Sequence, residues 1–156
     1  MRNKRGEGYI LTCVIVLVVC MLLSVFITFA TTVNMVRMTK RNSQIVLDSF
    51  VMENSILIYN SIKNGNDYTN ELQTDVYIDN LCSFCTFEEN ADYLYAYSSD
   101  GVLKYKLSRP EIFFSTEGEL KIYTQYTVYI PVGFGGATVT MAQVPITVES
   151  KFNEKF

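Results

Sequence analysis

Two cysteines separated by two residues are the first candidates for chemistry in this chain. Cys82-Ser83-Phe84-Cys85 has the spacing of thiol–disulfide oxidoreductases and of half a zinc site. No βαβ pattern surrounds it, as a redox fold would require, and a zinc site would need a second ligand pair. The other cysteines, Cys13 and Cys20, lie in an apolar N-terminal segment. The sequence therefore favours either a local Cys82–Cys85 disulfide in an oxidising exterior or two free thiols in a loop.

The remaining residue types offer little further chemistry. The chain has no histidine, which removes the commonest general base and zinc ligand. Glu88, Glu89 and Asp92 could provide carboxylates for Ca²⁺, but they lack the glycine and the alternation of an EF-hand loop, so we expect a solvated acidic loop. The glycine-rich segment 133–136 lacks a phosphate-binding pattern and predicts a turn. We expect no catalytic residue, no cofactor and no metal site, and hence a protein that is not an enzyme.

Charge is divided unevenly along the chain. Residues 1–41 contain six basic residues and one acidic residue, whereas residues 42–156 contain seven basic and fifteen acidic residues. An acidic domain is unsuited to nucleic acid, so we predict no nucleic-acid partner. The basic residues bracket an apolar run, an arrangement that suits contact with a lipid bilayer.

The apolar run itself is long enough to cross a membrane. Tyr9 to Ala30 has 22 residues and no charge, and a helix of that length spans roughly 33 Å against a hydrocarbon core of about 30 Å. A cleaved signal has a shorter apolar region, although Thr28-Phe29-Ala30 resembles a cleavage site. Cys20 resembles a lipobox cysteine only loosely, because Val19 precedes it. The sequence thus favours a retained membrane helix.

The flanks predict the orientation and the segments of the chain. Basic residues in the first five positions favour a cytoplasmic N-terminus and an extracytoplasmic C-terminal domain in the cell membrane, crossed once. We expect a short basic cytoplasmic leader at 1–8, a transmembrane helix at 9–30, an extracytoplasmic continuation of that helix at 31–63, and a β-rich domain at 64–156.

Helical periodicity continues beyond the apolar run. No Gly or Pro occurs between Ala30 and Asn64, and Lys63-Asn64-Gly65 is a helix stop. Apolar residues recur at helical spacing in three sets, which are 47, 50 and 51; 52, 56 and 59; and 58 and 62. We expect one long helix, or two nearly collinear ones, with a broad buried face that downstream residues must cover.

From Asp75 onward the pattern predicts strands. Asp100-Gly101 lies between two strand-like runs, 93–97 and 102–107, and predicts a hairpin. A second pair of runs, 120–132 and 137–148, flanks the glycine-rich turn, and Pro145 favours an edge position or a bulge. The predicted fold is therefore α+β, with a small antiparallel sheet packed on the distal half of the helix. Tyrosine rings in this sheet are expected to pack on the helix and still reach water at the rim.

This layout resembles the type IV pilin-like superfamily, and in particular TadE-like proteins of tight-adherence (Flp) pili. The short leader MRNKRGEG, the apolar helix that follows it and the β-rich domain carry the resemblance, which is motif-specific over about the first 35 residues. It implies cleavage by a leader peptidase after Gly6 or Gly8, and it implies other pilin-like subunits and the pilus or secretion machinery as partners.

The position of one residue refines that expectation. Major pilins carry a glutamate five residues after the cut, where this chain has Cys13, counted from Gly8, or Leu11, counted from Gly6. Neither side chain can neutralise a neighbouring amino terminus in apolar surroundings. The resemblance therefore implies a minor pilin or pseudopilin, or an uncleaved accessory protein. The alternative is a single-pass anchored binding module that uses its Tyr-rich sheet.

Overall fold

A computed structural model describes residues 4–65, 72–115, 121–134 and 137–151. The chain forms two units, residues 1–35 and residues 36–156, and the second contains the sheet. The helix and sheet content confirms the predicted α+β class with an antiparallel sheet.

Two consecutive helices account for residues 4–63 apart from Asn54. Helix α1 covers Lys4–Glu53 and helix α2 covers Ser55–Lys63. Only Asn54 separates them, and the i to i−4 hydrogen bonds continue across it, because Asn54 N donates to Phe50 O (3.2 Å) and Ile58 N donates to Asn54 O (3.0 Å). Helix α2 ends at Lys63, and Gly65 has a positive φ of 68°. The stop signal in the sequence therefore coincides with the end of the helix.

Helix α3, Thr74–Cys85, corrects the prediction that strands begin near Asp75. Its sequence, TDVYIDNLCSFC, is rich in β-branched and aromatic residues, which favour strands in isolation. Tyr77, Ile78 and Leu81 are nevertheless buried together, at the spacing of one helix face. Burial of that face outweighs the local preference, which is worth only a few tenths of a kcal/mol per residue. The helix ends at Thr86, which adopts the left-handed conformation.

Six strands form one antiparallel sheet. They are β1 (Glu88–Asn90), β2 (Tyr93–Tyr97), β3 (Leu103–Ser108), β4 (Glu111–Ser115), β5 (Lys121–Phe134) and β6 (Ala137–Lys151). The β2–β3 hairpin turns at Asp100-Gly101, as predicted, with Gly101 at φ 73°. Strands β5 and β6 form the second predicted hairpin, and their pairing extends from Lys121–Lys151 to Phe134–Ala137. Within the described residues β6 pairs only with β5, so Pro145 lies in an edge strand, as expected.

Strands β3 and β4 share the other edge of β5. Strand β3 pairs with Val128 and Tyr129, and β4 pairs with 121–125. Arg109 and Pro110 lie between the two strands, where three residues face two on β5 and form a bulge. Pro110 cannot donate a ladder hydrogen bond. At the same bulge the backbone N–H of Thr127 donates to the Ser108 hydroxyl at 2.9 Å.

The core of the second unit lies between the sheet and the three helical segments of this unit. The part of α1 in this unit contributes Val46, Leu47, Phe50 and Val51, and α2 contributes Ile58. The even-numbered residues of β5 and β6 face these side chains, while the odd-numbered residues face away. The buried aliphatic residues of the sheet are Leu94, Ala96, Leu107, Ile122, Val128, Ile130, Ile146 and Val148. The distal half of the helix is thus covered by the sheet, as its apolar periodicity requires.

Candidate interaction surfaces

Gly6 and Gly8, the predicted sites of leader cleavage, lie inside helix α1, which begins at Lys4. A methyl group in place of the Gly8 hydrogen would meet no atom within 4 Å, so this glycine is not required by close packing. A peptidase would have to unwind this turn to bind it in an extended form. Cleavage after either glycine stays a prediction.

Cys82 and Cys85 lie in the last turn of α3 rather than in a loop, and both are free thiols. Asn42 Nδ2 donates a hydrogen bond to Cys85 Sγ at 3.7 Å, which links α3 to α1. Burial raises the pKa of both thiols, and Glu89 and Asp79 raise the pKa of Cys82 further. Both are therefore weaker nucleophiles at neutral pH than an exposed cysteine. A disulfide between them stays a prediction.

In the acidic cluster at 88–92, two residues belong to a strand and one of these two forms an ion pair. Glu88 and Glu89 belong to β1, and Arg109 donates to Glu89 Oε1 at 3.0 Å. The same guanidinium lies 3.5 Å from Asp75 Oδ1. Within the described part of the chain, no group of three or more Cys, Asp or Glu residues is arranged to hold a metal ion. Of the glycine-rich turn, residues 135 and 136 lie outside the described residues.

The apolar part of α1 exposes nearly all of its large side chains. Of the described helices, it is the one long and apolar enough to cross a membrane, and none of its most apolar window is buried. Four of its hydroxyls bond to their own helix, since Thr12, Thr28, Thr31 and Thr32 each donate to the carbonyl four residues earlier at 2.8–2.9 Å. A helix whose polar groups are satisfied internally meets the main requirement of a hydrocarbon environment. This helix is a candidate membrane span.

A second exposed apolar surface lies on the helices of the sheet-containing unit. We define the helix stripe as Met38, Ile45, Met52, Ile56 and Tyr59. Four of these residues recur every seven positions, so they share one face. Met52 and Ile56 are each 75% exposed, and Tyr59 is 51% exposed. The expectation that residues 52, 56 and 59 belong to the buried face is therefore wrong. Their phase differs from that of the buried set at 47, 50, 51 and 58, and this difference in phase was a signal for a second face.

The outer face of the sheet, opposite the helices, is rich in tyrosine. We define the aromatic face as Tyr93, Tyr95, Tyr97 and Tyr129. Successive ring centroids in the order 97, 95, 93 and 129 lie 6.2, 6.3 and 5.8 Å apart. The Lys106 ammonium lies 3.9 Å from the centroid of the Tyr93 ring and 5.2 Å from that of Tyr129. This is the Tyr-rich sheet surface of the alternative prediction.

An open groove of about 600 Å³ adjoins the aromatic face at the bulge between β3 and β4. Asp92, Arg109, Glu111 and Gln125 give it a polar lining with more acidic than basic groups. Arg109 is already paired with Glu89 and Asp75. An anionic ligand would therefore meet more repulsion than attraction in the groove.

Two tyrosines, Tyr77 of α3 and Tyr126 of β5, are buried in the core, and the prediction of rings that reach water at the rim missed them. Tyr126 Oη donates to Ser43 Oγ at 2.7 Å, and burial raises the pKa of Tyr126. Burial also raises the pKa of Tyr77 to about 12, although the nearby Thr124 and Ser43 hydroxyls oppose the shift. Within the described residues, Tyr77 Oη and Thr124 Oγ1 are buried without a hydrogen-bond partner.

Further polar contacts join the edge strand β6 to helix α1. Ser150 Oγ donates to Asp48 Oδ1 at 2.7 Å, and Gln44 Nε2 donates to Asp48 Oδ1 at 3.0 Å and to the Glu149 carbonyl at 2.9 Å. These contacts hold β6 on the helix, while the aromatic face and the helix stripe stay exposed.

Comparison with protein-family models, with curated proteins and with solved structures finds no match to this chain, so the surfaces described above carry the functional argument.

Proposed function

We propose that the protein is a non-enzymatic, pilin-like subunit or accessory protein of a Tad-type pilus or a related secretion assembly in the bacterial envelope. In this proposal the apolar part of α1 crosses the cell membrane with its N-terminus in the cytoplasm. The unit from residue 36 onward lies outside. The TadE-like resemblance of the first 35 residues supports the proposal.

The helix stripe is the observation that carries the proposal. Single exposed apolar residues are ordinary on protein surfaces, but five on one helical face form a continuous patch that favours a partner. Its seven-residue spacing suits another helix packed alongside. A pilin-like assembly supplies such helices in a common direction, because every subunit enters the membrane in the same orientation.

The residues near the predicted cuts favour a minor role. Cys13 and Leu11 occupy the positions at which a major pilin carries its glutamate. A subunit without that carboxylate cannot offer a charge partner to a neighbouring amino terminus. We therefore propose a minor pilin, a pseudopilin or an uncleaved accessory protein rather than the major subunit.

Photo-crosslinking in the native host tests the assembly. A photoreactive phenylalanine analogue at Met52 or Ile56 is expected to capture a pilin-like subunit or a component of the secretion machinery. The same analogue at Lys104, an exposed residue of the sheet, serves as the matched control. Mass spectrometry of the products identifies the partner and also gives the mature N-terminus.

Two results would contradict the proposal. One is a full-length chain that stays a solitary monomer in gentle detergent and gives no product from position 52 or 56. The other is a secreted chain that begins near Thr31, because the membrane helix would then be a removed signal.

The aromatic face supports a second candidate function, a membrane-anchored binding module. Four tyrosines on an exposed sheet surface, beside a polar groove of about 600 Å³, offer both apolar area and hydrogen-bonding groups. This function requires that residues 36–156 bind alone. Substitution of Tyr95 by Ala would then abolish binding, whereas substitution of the exposed Met52 by Ala would leave it unchanged.

A further inference from the structure

We infer that Arg37, Lys40 and Arg41 form a basic collar that binds the phosphate groups of anionic phospholipids at the membrane surface. This inference rests on the proposed membrane span. It adds the lipid class that the anchor selects and the three side chains that select it.

The three collar residues are exposed cations that lie on one face of α1. Residues 37, 40 and 41 are separated by three and four positions, so their side chains project from one face of α1 over about one turn. All three are exposed. Among the described residues, no ion pair or hydrogen bond is found for any of the three side chains. Their charges are therefore available to an external anion.

The collar lies away from the buried side of the same helix, and Arg41, three residues after Met38 and four before Ile45, borders the helix stripe. Thr39 and Ser43 turn inward and are buried. Met38 and Ile45 lie on the helix stripe. Lipid contact at the collar therefore leaves the packing of the helix against the sheet untouched.

The sequence before the collar places it at the edge of the apolar phase. No charged residue occurs between Glu7 and Arg37. Thr28, Thr31 and Thr32 lie near the end of this stretch, and their hydroxyls bond to the helix itself, so they need no water. Asn34 is the first amide after the apolar run, and the first charged groups after it are those of the collar, which begins seven residues beyond Ala30. Long basic side chains at such a position extend toward lipid phosphates.

The acidic charge of the remainder of the chain makes the collar selective for lipid. Residues 42–156 carry fifteen acidic and seven basic residues, so a soluble polyanion that approached the collar would also approach a negative domain. Each Lys or Arg near an anionic membrane surface contributes a preference of about fivefold.

The test uses the full-length protein in nanodiscs that contain equal amounts of phosphatidylglycerol and phosphatidylcholine. Native mass spectrometry counts the lipids that stay bound when the disc is removed. The wild-type chain is expected to retain phosphatidylglycerol in several-fold excess. The triple variant Arg37→Gln, Lys40→Gln, Arg41→Gln is expected to retain the two lipids nearly equally. Arg2, Lys4 and Arg5 are kept in every variant, so their contribution is constant.

A charge-matched control isolates the collar. Substitution of Lys63, Lys104 and Lys121 by Gln removes the same charge and is expected to leave the lipid ratio unchanged. The inference is overturned if the collar variant keeps the wild-type ratio, if the control loses as much as the collar variant, or if the wild-type protein shows no preference. A wild-type chain that fails to enter the nanodisc would instead refute the membrane span itself, and the proposed function with it.

Discussion

Two buried tyrosines differ in the hydrogen-bond partner of the hydroxyl. Tyr126 donates to Ser43 at 2.7 Å, whereas the buried Tyr77 hydroxyl has no hydrogen-bond partner within the described part of the chain. A buried polar group without a partner costs about 1–3 kcal/mol, and a typical hydrogen bond contributes about 1 kcal/mol. Identical substitutions at the two positions should therefore have opposite effects.

We predict that Tyr77→Phe leaves the free energy of unfolding unchanged or raises it by up to about 1 kcal/mol. Tyr126→Phe should lower it by roughly 1–3 kcal/mol, because Ser43 loses its donor in a buried site. Urea unfolding of the full-length protein in detergent, followed by near-ultraviolet circular dichroism, measures both. Equal losses in the two variants would contradict the assignment of an unpartnered hydroxyl to Tyr77.

The same tyrosines predict the response to alkaline pH. The pKa of Tyr77 is raised from 10.0 to about 12 by burial, so between these values the unfolded chain has lost a proton that the folded chain keeps. Unfolding then releases a proton, and stability falls as pH rises. The contribution is fully present below pH 10 and is lost progressively toward pH 12, by roughly 2–3 kcal/mol for Tyr77.

We predict that wild-type stability declines above pH 10 and that Tyr77→Phe declines less steeply over the same range. Unfolding free energies measured from pH 8 to pH 12 give the two slopes. The pKa of Tyr126 is raised by burial as well, so part of the decline persists in the Tyr77 variant. Superimposable pH profiles would show that Tyr77 is not the titrating group.

At the scale of the elements, local signals predicted the ends of elements better than their type. Asp100-Gly101 and Lys63-Asn64-Gly65 have backbone requirements that few other residues meet, and both coincide with the turn and the helix end observed. Helix α3 was missed because its residues favour strands locally, whereas its stability comes from burying Tyr77, Ile78 and Leu81. That burial depends on residues distant in sequence.

The exposed side of the helix was missed for a related reason. Apolar residues at 52, 56 and 59 have the composition of a core face, and composition cannot tell a core face from an assembly face. Only the position of the sheet, which covers 47 and 50 and leaves 52 exposed, separates the two. The candidate surface therefore depends on the tertiary arrangement, although its residues were visible in the sequence.

The C-terminal end of α3 contains a strained residue. Thr86 has φ 56° and ψ 47°, and its backbone N–H bonds to the Cys82 carbonyl. A β-branched residue in this conformation costs about 1–2 kcal/mol, which glycine avoids. The greater freedom of glycine in the unfolded chain offsets part of this gain.

We predict that Thr86→Gly stabilises the sheet-containing unit by about 0.5–1 kcal/mol, as measured by urea unfolding. Thr86→Val keeps the branched Cβ and should give no gain. Thr86 is exposed, so neither substitution disturbs the core. Equal stability of the glycine and valine variants would show that the turn is not strained.

For the whole molecule, the decisive property is that one chain combines an exposed apolar helix with a unit that has a core of its own. Among the described residues, the unit formed by 36–156 buries nineteen apolar side chains. We therefore expect a fragment of these residues to fold and to remain in the supernatant after ultracentrifugation, whereas the full-length chain sediments with membranes and resists extraction by alkaline carbonate.

Two double variants distinguish insertion into the membrane from non-specific apolar adsorption. Val18→Lys with Leu22→Lys places two charges within the apolar helix, and each costs about 2.5–3.5 kcal/mol at the centre of a membrane helix. Val139→Lys with Met52→Lys adds the same charge at two side chains that are about three-quarters exposed in the other unit. We predict that the first pair releases the chain from the carbonate-resistant pellet and that the second does not. Release by both pairs would mean that general apolar adhesion, rather than a helix across the bilayer, holds the protein in the membrane fraction.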